Sequence, residues 1–237
     1  MTIAINILCV LILLLAAWGG YKRGLILSAA NLAAIVVSLY LACLLSAAFS
    51  GEIVSGLYPF AKGYVDNQIE NTVMQEMGFE ADLNVKDALA REPGRTQEFC
   101  TAAFRACGIS QEPAEQMARE AIEHSEEQIT DIPTAIAQVF CQRLSYVAGT
   151  IIAFILVLVL LLAIGNIPNL TFRIPNHPRL DDVGGAVMGL INGAAYCILL
   201  CWALQFTGAL IGRETLANSA LAKFFLSIDI LTAGVGI

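Results

Sequence analysis

Charged residues are scarce in this sequence. They make up 14% of its 237 residues, whereas soluble domains usually contain about 25%. Hydrophobic residues make up 57%, and the mean hydropathy is +0.71. The charges are also spread unevenly, because residues 1–51 contain only Lys22 and Arg23. This composition argues against a water-soluble domain and indicates an integral membrane protein.

Familiar catalytic and metal-binding motifs are missing as well. The sequence has no P-loop, HExxH, CxxC or GxSxG motif, and its only histidines are His124 and His177. We therefore predict no catalytic residue, no metal site and no bound cofactor, and we expect the protein not to be an enzyme. With a net charge of −7, the chain also lacks the basic surface that nucleic-acid binding requires, so no nucleic-acid partner is expected.

Four stretches are long and apolar enough to cross the membrane, which takes about 20 residues of helix. The first runs from Ile3 to Trp18, and the others lie in the uncharged segments 24–51, 144–172 and 183–212. The alternative for the first stretch is a signal peptide, although no basic region precedes its apolar run. No span contains an ionisable residue of the kind that proton relays use, which disfavours proton-coupled transport.

These spans predict an all-α integral membrane protein with four transmembrane helices in two hairpins. Residues 1–51 form the first hairpin, and residues 144–212 form the second. Between them, residues 52–143 form a polar, acidic, helical insert. Residues 213–237 are predicted to form a C-terminal amphipathic helix, which lies either in the membrane interface or against the bundle.

The insert holds 16 acidic and 7 basic residues and contains three helix signals. Thr96 is predicted to cap a helix that Gly108 closes, and Ser110 opens a second helix with Pro113 in its first turn. Asp131 opens a third helix, which we expect to continue without a break into the third span.

The basic residues of the short connections predict the orientation. Because short loops rich in Lys and Arg stay in the cytoplasm, both connections should be cytoplasmic. The N-terminus, the insert and the C-terminus are then extracytoplasmic. The four residues that decide this are Lys22, Arg23, Arg173 and Arg179.

The cysteines of the insert keep the inverted topology open. An external insert would contain Cys100, Cys107 and Cys141, an odd number that leaves at least one thiol unpaired. Cys100 and Cys107 lie about 10.5 Å apart along one predicted helix, which is too far for a disulfide between them. Whether Cys141 pairs with either of them stays open.

Glycines at four-residue intervals predict close helix packing. Gly185, Gly189 and Gly193 share one face of the fourth span, and Gly20 and Gly24 repeat the interval at the first turn. Such faces let another helix approach with its backbone. The contacts could form within one chain or between the chains of a homo-oligomer, and the sequence does not separate these cases.

Polar residues in or beside the spans have two interpretations. Asp181 or Asp182 is expected to cap the fourth span, where a carboxylate satisfies free amides and meets the positive end of the helix dipole. Other polar side chains either form hydrogen bonds between helices or line a small pore. These candidate polar membrane positions are Asn31, Ser38, Asn192 and Gln205.

Three segments resemble the colicin V production protein family of bacterial inner-membrane proteins. Residues Gly20 to Ile26 look like that family's first hairpin turn, and residues Arg179 to Gly193 are similar to the start of its last span. Residues Leu216 to Leu221, with Ser219, look like the short motif that follows. The resemblance implies a four-span protein of the bacterial inner membrane that is associated with colicin V production or secretion and with envelope function. It brings no catalytic residues with it.

Two functions follow as hypotheses. In the first, the protein is non-enzymatic, sits in the lipid bilayer and binds protein partners through the insert 52–143, in toxin production or export or in envelope homeostasis. In the second, it is a small channel or exporter. The polar membrane positions named above would then line its path.

Overall fold

A computed structural model describes residues 2–79, 84–128, 130–164, 178–206 and 219–227. All regular structure in these ranges is helical, and no strand occurs in them. The predicted all-α class is therefore confirmed.

The helices follow one another along the chain, with a π-helical turn at Ile69–Val73 and a 3-10 turn at Pro93–Arg95. In chain order they are α1 Thr2–Arg23, α2 Leu25–Gln68, α3 Met74–Glu76, α4 Val85–Arg91, α5 Thr96–Ala106, α6 Gln111–Gln128, α7 Ile132–Ile164, α8 Pro178–Leu204 and α9 Ala220–Leu226.

Four helical segments are long and apolar enough to cross a membrane. They carry large exposed apolar side chains, such as Leu15, Tyr40 and Leu156, in numbers that suit lipid rather than water. The four predicted spans are thus confirmed. They are Thr2–Arg23, Leu25–Glu52, Ile132–Ile164 and Arg179–Leu204.

A single residue, Gly24, joins α1 to α2. Its φ of +87° lies in the left-handed region, which glycine adopts without the strain of a side chain. The Gly24 N–H donates to the carbonyl of Gly20 at 2.9 Å, and its own carbonyl accepts from the N–H of Ser28 at 3.1 Å. The tight hairpin turn predicted here is what the structure contains.

Several predicted boundaries differ from the observed ones. The helix of the second span continues through the start of the insert to Gln68, and α8 ends at Leu204, before Gln205. Thr96 does not cap α5, because its hydroxyl donates to the carbonyl of Pro93. As predicted, α7 runs unbroken from the insert into the third span.

Other expectations fall on residues that the structure does not describe. These are the break after the third span, most of the loop before the fourth span with Arg173, and the greater part of the segment 213–237.

The chain divides into two compact units. The membrane unit comprises Met1–Ala48, Ala148–Leu204 and Leu216–Ile237, and the insert unit comprises Phe49–Val147 and Gln205–Thr215. Helices α2 and α7 contribute residues to both units.

Each unit has its own apolar core. In the insert unit, the core contains Phe99, Phe104 and Met117, all at most 2% exposed. Full burial of such side chains stabilises a fold by about 1.5–3 kcal/mol each. In the membrane unit, Ile35 of α2 and Phe154 of α7 belong to the same buried cluster.

Candidate functional site

Four of the predicted packing glycines meet between α1 and α8 of one chain. A Cβ atom built on Gly20 would lie 2.8 Å from the Cα of Gly189, and it would also overlap the carbonyl of Gly185. A Cβ on Gly193 would lie 2.9 Å from the Cβ of Ala16. The two backbones therefore approach more closely than side chains would allow, which is how small residues hold membrane helices together.

The fifth glycine of the prediction, Gly24, meets a buried carboxylate. Asp181 of α8 is 1% exposed, and its Oδ1 accepts a hydrogen bond of 2.8 Å from the backbone N of Leu25, the first residue of α2. A Cβ on Gly24 would lie 2.5 Å from the Asp181 Oδ2. The turn and the carboxylate thus fit only because residue 24 has no side chain.

Asp181 and Asp182 do not stand at the N-cap position predicted for them, although Asp181 lies in the first turn of the fourth span, where a carboxylate meets the positive end of the helix dipole. Helix α8 begins at Pro178, so both acids lie inside it. The first amides of a helix have no acceptor within that helix. Because α2 begins at Leu25, directly after the turn at Gly24, the Leu25 N–H is one of these amides. Asp181 satisfies that amide, and so it caps α2 rather than its own helix.

Three of the four candidate polar positions lie in the membrane unit. The Asn192 Nδ2 donates to the carbonyl of Ser28 at 3.1 Å, and Asn31 forms a side-chain hydrogen bond with Tyr196. Both bonds join α2 to α8. Ser38 has no exposed surface, and its hydroxyl has no hydrogen-bond partner within the described ranges.

Gln205 does not join the other three. It belongs to the insert unit, where its backbone carbonyl accepts a hydrogen bond of 3.0 Å from the N–H of Ser110. Gln205 thus belongs to a different unit from the other three candidate positions.

Two close contacts were not predicted from the sequence. The Ser219 hydroxyl donates to the Asn6 Oδ1 at 2.6 Å and accepts from the N–H of Ala222 at 3.2 Å, so it caps α9 and ties it to α1. A Cβ on Gly149 would lie 2.8 Å from the Ser46 Oγ, where α7 meets α2. A serine before a helix and small residues in two spans were the available signals, but nothing in the sequence paired them.

The insert unit presents an acidic helix surface. On α6, the exposed acids are Glu112, Glu123, Glu126 and Glu127. Glu120 instead pairs with Arg143 of α7. In the part of the chain that the structure describes, no group of three or more acids, histidines and cysteines has the geometry to hold a metal ion.

The three cysteines of the insert are free thiols in a packed interior. Cys100, Cys107 and Cys141 are each at most 2% exposed. Burial raises the pKa of the Cys100 thiol to about 12, which keeps it protonated at neutral pH. The insert core thus forms without a disulfide.

Comparison with known proteins identifies the C-terminal half. Residues 114–229 match the family model described as Colicin V production protein, which confirms the resemblance seen in the sequence. The match includes the segments 179–193 and 216–221, whereas the segment 20–26 lies outside it. No curated protein and no solved structure matches the chain significantly. The chain therefore has four helices that are long and apolar enough to span a membrane, and its residues 114–229 match the Colicin V production protein family.

Proposed function

We propose that this protein is a non-enzymatic component of the bacterial inner membrane that binds other proteins through its insert, residues 52–143. It acts in toxin production or export, or in envelope homeostasis. The family domain supports this process. The insert and both termini lie on the extracytoplasmic side, and Lys22 and Arg23 at the α1–α2 turn support that orientation.

The observation that carries the proposal is the insert's own packed core. Phe99, Phe104 and Met117 are buried within this unit. Because this core holds the helices of the insert in fixed positions, their outer side chains form one ordered face. On that face α6 exposes a group of acids, and charge of one sign favours partners of the opposite sign. A basic protein surface is the partner that this face fits.

The test is charge reversal on α6. Changing Glu123, Glu126 and Glu127 to Lys should abolish complementation of a deletion strain and the recovery of bound proteins from solubilised membranes. The three Glu→Gln changes should give an intermediate loss, and Glu70→Lys, an exposed change elsewhere on the insert, should give none. Full complementation by the triple Lys variant at normal membrane levels would reject this surface as the contact.

Point changes are preferable to removal of the helical segment. Residues 82–127 include Phe99, Phe104 and Met117, which are among the largest fully buried side chains of the insert core. Their loss would expose the apolar residues of α2 and α7 that they cover. A deletion would therefore combine the loss of a surface with the loss of a fold.

A small channel is the second candidate function. The observation in its favour is that four buried polar atoms of the membrane unit lack a hydrogen-bond partner among the described residues, and such atoms are costly unless water or a solute satisfies them. They are Ser38 Oγ, Thr150 Oγ1, Asp181 Oδ2 and Asn192 Oδ1.

Liposomes containing the purified protein test this alternative. A channel would give solute flux that Asn192→Leu or Asn31→Leu removes and that the Glu→Lys triple variant retains. We expect no flux driven by a pH gradient, because the uncharged segments of the spans offer no proton site. The buried carboxylate of Asp181 lies in the first turn of α8 and accepts the Leu25 N–H. Flux with these properties would favour the channel over partner binding.

A further inference from the structure

Three thiols from two helices meet in the interior of the membrane unit. They belong to Cys9 of α1 and to Cys197 and Cys201 of α8, and none has any exposed surface. The Cys197 Sγ lies 3.7 Å from the backbone carbonyl oxygen of Cys9. Cys201 lies one helical turn beyond Cys197 on the same face of α8, and both side chains interact with the thiol of Cys9.

The glycine contacts explain this meeting. Gly20 lies against Gly185, and Ala16 lies against Gly193, so α1 and α8 run in opposite directions. Cys9 stands about 16.5 Å along α1 from Gly20, and Cys197 stands about 18 Å along α8 from Gly185, at 1.5 Å per residue. These distances match, so the same register that joins the glycines puts Cys9 opposite Cys197.

We propose that Cys9 and Cys197 are an oxidation site, and that a membrane-permeant two-electron oxidant converts them into a disulfide that joins α1 to α8 covalently. A disulfide needs Cα atoms about 4.4–6.8 Å apart, so it requires the kind of close backbone approach that α1 and α8 show at the glycine contacts. Cys201 is the second thiol within reach of Cys9 and forms the bond when Cys197 is absent.

The reaction balances with a diamide-type azo compound as the oxidant. The two S–H bonds break, the S–S bond forms, and the two protons and two electrons convert the N=N bond into HN–NH. A dithiol reductant reverses the change by thiol–disulfide exchange. Because the three thiols are buried, a charged oxidant that cannot enter the bilayer, such as tetrathionate, should leave them reduced.

The experiment counts and maps thiols in the full-length protein in native membranes. Before treatment, all seven cysteines are free, and after diamide treatment we expect five alkylated thiols. Mass spectrometry without reduction should show the peptide of Cys9 linked to that of Cys197. Cys43→Ala, which alters a partly exposed cysteine of α2, should give the same link.

Variants make the pairing specific. Cys197→Ala should shift the link to Cys201, and the double variant Cys197→Ala/Cys201→Ala should leave Cys9 as a thiol. Seven free thiols in the treated native protein, under conditions in which the same reagent oxidises the detergent-unfolded chain, would overturn the proposal. A link from Cys9 to Cys43 would also overturn it. If a variant fails to accumulate, the linked peptides found in the wild-type protein still decide between these outcomes.

Discussion

Adjacent glycines in α1 have opposite surroundings. A Cβ on Gly20 would meet the backbone of α8, whereas a Cβ on Gly19 would have nothing within 4 Å. Lipid gives helices no hydrophobic reason to associate, so close backbone approach contributes much of their attraction. The same substitution at Gly20 and at Gly19 therefore separates the effect on the helix contact from the general effect of adding a methyl group.

Gly20→Ala should destabilise the protein, and Gly19→Ala should not. The added methyl group forces α1 and α8 apart, and such overpacking costs about 1–3 kcal/mol. The midpoint of heat-induced aggregation in detergent should fall for Gly20→Ala and stay near the wild-type value for Gly19→Ala. Equal midpoints for the two variants would contradict the contact.

Asp181→Ala should weaken the junction of α1, α2 and α8. It removes the acceptor of the Leu25 N–H, and loss of a helix cap typically costs about 0.5–2 kcal/mol. Asp181→Asn keeps an oxygen acceptor and should cost less. The same thermal assay measures both, and a variant series in which Asn is worse than Ala would reject the capping role.

The sequence predicted the glycine face because the four-residue interval is a local property. It did not predict the partner of Asp181, because the relevant amide lies 156 residues away in the chain. An acid at the start of a helix usually caps that helix, and only the tertiary contact with Gly24 redirects it.

Helix α9 depends on one hydroxyl. Ser219 is completely buried and serves both as cap of α9 and as donor to Asn6 of α1. Ala222 and Phe225 are buried on the same short helix, while Phe224 stays exposed. Of the two placements open for the C-terminal segment, these residues show the one packed on the bundle.

Ser219→Ala should release α9 from α1 and speed proteolysis near the C-terminus. The loss of the cap alone costs about 1 kcal/mol, and the lost bond to Asn6 adds to it. Ser227→Ala, which removes an exposed hydroxyl at the other end of α9, is the matched control. In a double-mutant cycle, Asn6→Ala should add little to Ser219→Ala, and full additivity would count against the bond.

The length of α2 could be predicted in part from the sequence. Val54, Tyr58, Ala61, Val65 and Ile69 follow one another at helical spacing and pack into the insert core, so the stripe indicates that the helix continues beyond the membrane span. Because the hydropathy falls at Glu52, the second span was predicted to end there and the stripe was not used to extend the helix. Composition marks where the lipid ends, whereas periodicity marks where the helix ends.

At the scale of the whole molecule, the orientation can be measured directly. Asp87 and Tyr21 are both exposed, so a cysteine at either position is reachable from its own side of the membrane. An impermeant maleimide added to spheroplasts should label Asp87→Cys and miss Tyr21→Cys. Six native cysteines are buried and Cys43 is only partly exposed, so the background should be low.

The reverse labelling pattern would invert the topology and move the insert into the cytoplasm. A membrane-permeant maleimide should label both variants, which shows that each introduced thiol is reactive. Labelling of neither variant by the permeant reagent would contradict the exposure of these two positions.

The hydrogen bond between Leu25 and Asp181 can form only late in the synthesis of the chain. The ribosome makes α1, Gly24 and α2 long before it makes Asp181, so the newly inserted hairpin begins without its carboxylate. Until then the corner is held by the local bonds of Gly24 to Gly20 and Ser28. The first hairpin is therefore completed only after the chain has been made as far as Asp181 in the fourth span.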